Sequence, residues 1–188
     1  MKQNFGPAIL CFVFSAALLT PGSSLRAEVK DSAADGFALE INKVTDLPVG
    51  EAFTAFVKGF GNWWDASHSY SGDPKALSID LEKACILEKL PEGGFVRHLE
   101  LAYYHPQKTA LRFTGGLGPL QEMGVGGAMT IEISEVDKRT QIQVRYTVTG
   151  YSKQQLDKLA PIVDRVLNDQ FTRFQNYCTK LNIALEKS

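Results

Sequence analysis

Two short stretches hold most of the residues able to do chemistry. "GNWWDASHSYSGD" (Gly61 to Asp73) sets Trp63 beside Trp64 and follows them with His68 and Tyr70. An imidazole exchanges a proton near neutral pH, so His68 or Tyr70 is a candidate acid or base. The paired indoles have two readings: one ring wedged between elements as an anchor, the other facing a pocket mouth. In "FVRHLELAYYH" (Phe95 to His105), alternation puts Arg97 on the face of Phe95, Leu99 and Leu101. A cation on an apolar face is costly unless paired. Arg97 is therefore a candidate for gripping a carboxylate or phosphate head, the other reading being a pair with a protein acid. Tyr103 has the same parity and adds a hydroxyl, while His98 and Glu100 are expected to face solvent.

Several chemistries lack their residues. His68, His98 and His105 form no diagnostic metal-ligand spacing, so no metal and no cofactor is expected. "GGLGPLQEMGVGG" lacks the GK[ST] ending of a phosphate loop, and Gln121 stands where GxGxxG needs its last glycine. It reads instead as a lid in which Leu117, Leu120, Met123 and Val125 offer apolar contacts and glycines permit movement, or as a passive connection. No GxSxG elbow is present.

The elements that must position these residues follow from periodicity. The chain of 188 residues suits one domain. Lys2, the apolar run Ala8 to Leu19 and "TPGSSLRA" have the layout of a secretory signal peptide, placed at residues 1–27, so the location expected is periplasmic or secreted. The run is too short for a permanent span, which needs about 20 residues. Of 20 basic and 21 acidic side chains, Lys2 and Arg26 leave with it, which makes the mature net charge −3. That balance argues against nucleic acid as a partner, and no integral membrane segment remains. Cys85 and Cys178 permit one disulfide or are two small buried hydrophobes.

Residues 28–36 read as a flexible lead-in. "FALEINKVTDLP" alternates as a strand, and Val49, Phe53, Phe56, Val57 and Phe60 recur at helical spacing, broken near Gly59 and Gly61. Strands follow between polar turns: Leu77 to Leu87 as one, then Phe95 to Tyr103, "TALRFT", Met129 to Ile133, and Ile142 to Val148. Leu156, Leu159, Val163, Val166, Leu167, Phe171, Phe174, Tyr177 and Leu181 then mark a long amphipathic helix, with Pro161 near its first turn.

A curved sheet needs its apolar face covered, and one long helix can cover it. The order of elements, with "NWWDASHSYSGD", "LPEGGFVRHLE", "GGLGPLQEMGVGGAM" and "LDKLAPIVDRVLNDQF", resembles the START/SRPBCC superfamily, which includes polyketide cyclases, birch-pollen-type allergens and chaperone-ATPase activators. The resemblance covers residues 37–183. It implies an α+β helix-grip fold: a curved antiparallel sheet wrapped around a long C-terminal helix, with two short helices after the first strand. It also implies a cavity between sheet and helix holding a small hydrophobic or amphipathic ligand. Trp64, Phe113, Leu120, Met123 and Phe171 are the expected apolar walls, and His68, Tyr70, Arg97 and Tyr103 the expected polar contacts. The alternatives are a cyclase- or dehydratase-like enzyme using His68 or Tyr70, and a protein-interaction module resembling the chaperone activators.

Overall fold

A computed structural model describes residues 28–151, 153 and 155–187; the segment assigned above to a signal peptide lies outside them. Eight strands form one antiparallel sheet in the order β1-β2-β8-β7-β6-β5-β4-β3. They are β1 (Glu28–Ala33), β2 (Gly36–Thr45), β3 (Leu77–Asp80), β4 (Cys85–Lys89), β5 (Phe95–His105), β6 (Ala110–Thr114), β7 (Gly126–Val136) and β8 (Arg139–Thr149). Between β2 and β3 come α1 (Val49–Lys58), α2 (Phe60–Trp63) and two turns of 3-10 helix; α3 (Pro119–Glu122) precedes β7, and α4 (Leu156–Leu185) closes the chain. The meander and the long final helix are those the periodicity requires.

Two boundaries differ from expectation. The supposed lead-in is strand β1, hairpinned onto β2. Its polar sequence carries no period because every β1 residue except Val29 is exposed, and pairing there is by backbone. The single strand expected from Leu77 to Leu87 is a hairpin, β3 and β4, turned at Leu81–Ala84 with Ala84 in the left-handed region (φ 50°). Leu81, placed on the inner face by parity, is exposed at that turn.

Helix α4 packs against β2 and β1. Gln175 Nε2 donates to the Val44 carbonyl at 2.6 Å, and Lys43 Nζ donates to Asn168 Oδ1 at 2.8 Å. Pro161 lies in the second turn of α4 because the helix begins at Leu156, and it costs one bond of the ladder. Phe56, Phe60, Trp63, Phe171 and Phe174 fill the space where α1, α2 and α4 meet the sheet. At Gly61 a Cβ would strike the Pro74 carbonyl and lie 2.9 Å from that of Leu77, so only glycine lets α2 sit against the start of β3. Cys85 and Cys178 are both buried and free, which decides for the small-hydrophobe reading, and burial pushes the Cys178 thiol up to about 12. Among the described residues no helix is long and apolar enough to cross a membrane.

Candidate functional site: a cup at the amino-terminal half of the closing helix

The space between sheet and helix is divided. Its centre is packed, with a void of about 10 Å³ between Phe56, Trp63, Ile86, Leu99 and Phe171, barely room for one water. The usable space is a cup of about 450 Å³ at the amino-terminal half of α4. One wall is Leu159, Ile162, Val163, Val166 and Leu167 of α4; opposite stand Trp64, His68 and Tyr70 from the segment after α2. Leu117, Pro119, Leu120, Glu122 and Met123 of the α3 loop form a third side, and His98 belongs to the β5 wall. A groove of similar size, about 490 Å³, lies near the β1–β2 turn; Phe37 and Val148 are already buried in the core, and its exposed aromatic is Tyr151, just after the end of β8.

Local structure explains how the pieces are held. Trp63 is buried among Phe56, Phe60 and Phe174, whereas Trp64 turns one edge to the cup and donates its Nε1 hydrogen to the His68 carbonyl at 2.8 Å. Asp65 caps the 3-10 turn Ala66–His68 by accepting from the Ser67 amide at 2.9 Å, and that bond, with the Arg173 ion pair, holds its carboxyl below the usual range. The Asp65 amide donates to Gln170 Oε1 at 2.9 Å, which ties this segment to α4. The α3 loop is fixed at its base by the buried Tyr146 hydroxyl, which accepts from the Leu117 amide at 3.1 Å and donates to the Gly115 carbonyl at 3.2 Å. Burial pushes that phenol up to about 12. At the rim, the Tyr70 hydroxyl donates to Glu122 Oε1 at 3.3 Å.

The nine residues expected at the site divide into three groups. Trp64, His68, Tyr70, Leu120 and Met123 line the cup together. Phe113 and Phe171 are buried in the packed core instead. Arg97 and Tyr103 are on the outer face, contrary to their expected inward direction. Two β-bulges cause this. Ile86 pairs with Leu99 and Leu87 with Arg97, so His98 is an inserted residue, and a second insertion at Ala102 separates the Leu101 and Tyr103 pairings. Each insertion reverses the alternation beyond it. Arg97 accordingly pairs with Glu100 at 2.6 Å and donates to the Lys83 carbonyl at 2.8 Å, while Tyr103 lies under the Arg112 guanidinium at 5.8 Å.

The same bulge turns His98 inward, where solvent exposure had been expected. It is only 4% exposed, and its Nε2 lies 2.7 Å from Oε2 of Glu88, which is 0% exposed. Burial pushes the Glu88 carboxyl up, but hydrogen bonds from Ser71, from His98 and from the Tyr70 amide outweigh it, and the net pKa lies below the ordinary value. The Ser71 amide donates to Glu88 Oε1 at 2.5 Å. The Tyr70 ring sits 5.7 Å from the His98 ring. Glu88 and His98 are thus a carboxylate-held imidazole at the cup wall that spacing alone did not single out. The available signal was an acid inside the apolar run "CILEKL".

No family model matches the sequence, and no curated protein is similar enough to be a relative. Solved structures are similar in shape. Ara h 8.0201 superposes with a TM-score of 0.53 at 13% identity, over 77% of this chain and 99% of its own. Mll3558 of Rhizobium loti gives 0.55 at 15% identity, over 75% and 96%. A protein from Rhizobium leguminosarum gives 0.53 at 14%, over 79% and 97%. Identities this low show a shared architecture only. The chain has an α+β helix-grip fold.

Proposed function

We propose that this chain binds a small apolar or amphipathic molecule in the cup beneath the amino-terminal half of α4. The observation that carries this reading is the cup itself: an apolar wall from α4, an indole edge and a short glycine-flanked loop around about 450 Å³, with polar groups gathered at one side. Withdrawing about 200 Å² of apolar ligand surface from water, at about 25 cal/mol per Å², gives about 5 kcal/mol, a Kd on the order of a few hundred micromolar before any hydrogen bond. Calorimetric titration with naphthalene derivatives is expected to show binding of that strength or tighter. Val163→Trp, which places an indole in the cup, should weaken it at least ~10-fold with little change in melting temperature. Equal affinity in wild type and variant would put the molecule elsewhere and overturn the proposal.

A second reading, an enzyme of cyclase or dehydratase type, is favoured by the Glu88–His98 pair, since a carboxylate-held imidazole is suited to take a proton from a bound molecule. Under it the base is His98 rather than His68 or Tyr70.

Residues 1–27 act, in this proposal, as a signal peptide that delivers the domain to the periplasm or beyond. Expression with a carboxy-terminal tag in a bacterial host should yield exported protein beginning at Glu28. Retention of the full-length chain in the cytoplasm would refute it.

A further inference from the structure

The cup's polar side has a sign. Among the described residues lining it, the ionisable side chains are His68, Tyr70, His98 and Glu122, with no lysine or arginine. Directly behind His98 is a second acid, Glu88, fully buried. Of the arginines in these stretches of chain, Arg165 of α4 is exposed and is not among the residues lining the cup, Arg97 pairs with Glu100 on the outer face, and Arg173 pairs with Asp65. An anionic head entering here would meet carboxylates without a guanidinium or ammonium to receive it, and desolvation would add to that repulsion.

The imidazole sharpens the point. Glu88 is held as a carboxylate and can only accept, so His98 must present Nε2–H to it. With Nε2–H facing Glu88, the imidazole form of the ring carries a lone pair on Nδ1, and among the described residues no protein group hydrogen-bonds that atom. Its natural complement is a donor on the ligand.

We propose that the cup selects an apolar molecule whose polar end is a hydrogen-bond donor, a hydroxyl or an ammonium group, and rejects carboxylates and phosphates. This rests on the binding reading above and adds the class of molecule to it.

Four probes on one skeleton test it: naphthalene, 1-naphthalenemethanol, 1-naphthylmethylamine and 1-naphthoate, titrated calorimetrically into the full mature chain at low salt. The alcohol and the amine are expected to bind at least ~10-fold tighter than the naphthoate, a difference of about 1.4 kcal/mol. E122Q, which keeps an acceptor for Tyr70 at the rim but removes its charge, should weaken the amine and strengthen the naphthoate. H98F should abolish the alcohol's advantage over naphthalene. The two source chemistries separate within the same series, since a hydroxyl site prefers the alcohol and an ammonium site the amine. Naphthoate binding as tightly as the alcohol, or E122Q moving amine and naphthoate in the same direction, overturns this inference and leaves the binding reading intact. Failure of naphthalene and the alcohol alike to bind overturns both.

Discussion

Phe56→Ala is expected to lower the stability of the domain by about 4 kcal/mol, within the range found when a buried phenylalanine is cut back to alanine. Phe56 is 1% exposed and belongs to α1, yet it makes ring contacts with α2 and α4 together: 5.6 Å to Trp63, 6.2 Å to Phe171 and 5.3 Å to Phe174. The Phe174 pair is edge-on at 80°, the geometry that adds stabilisation beyond area burial. Because the void beside these rings is only about 10 Å³, no neighbour has free volume from which to relax into the gap. Phe56 is also the ring through which α1 reaches α4, so its loss loosens both short helices. Urea denaturation should show the midpoint falling by roughly 2 M with an unchanged slope, for a typical slope of about 2 kcal/mol per M. A loss under about 1.5 kcal/mol would mean the cluster collapses readily, and the division into packed centre and open cup would fail with it.

That division explains which parts of the site could be read beforehand. The closing helix was legible because its three-and-four spacing places Leu167, Phe171 and Phe174 on one buried stripe. The two readings of the paired indoles left open which ring does which: Trp63 is buried in the aromatic cluster, and Trp64 lines the cup. What periodicity cannot carry is an insertion. Nothing at His98 or Ala102 announces a bulge; neither position is a glycine, and both bulges are features of strand pairing between distant segments. Strict alternation therefore sent Arg97 and Tyr103 inward and His98 outward, and each is reversed. The turn at Leu81–Ala84 left only a faint mark: "LEKA" contains no Gly, Pro, Asn or Asp and Ala84 adopts the left-handed conformation, while the one turn-forming residue is Asp80 just before it, whose Oδ1 accepts from the Lys83 amide at 2.8 Å. The helix stripe likewise could not say that Phe171 fills the centre while Val163 and Val166, one to two turns earlier, face open space.

His98→Phe is expected to destabilise the domain by about 3 kcal/mol at pH 7, because it leaves the Glu88 carboxylate buried without its imidazole partner. A comparable loss from packing alone would be the same at every pH, whereas this one is not. In the wild type the folded pKa of Glu88 lies below its ordinary value of about 4.3. Its contribution to stability is therefore complete above about pH 4.5 and disappears as pH falls through the lower folded value. In the variant, burial continues to oppose ionisation while one of the bonds that overcame it is gone, so the carboxyl titrates higher and protonation relieves the strain. The gap between wild type and variant should then narrow by at least ~1 kcal/mol between pH 7 and pH 4, chiefly because protonation removes an unfavourable carboxylate from the variant while the wild type has only begun to lose a favourable one. Chemical denaturation of both proteins across that range measures it. A gap independent of pH would show that Glu88 is not ionised behind His98, and the case for an acceptor at the cup wall would lose its foundation.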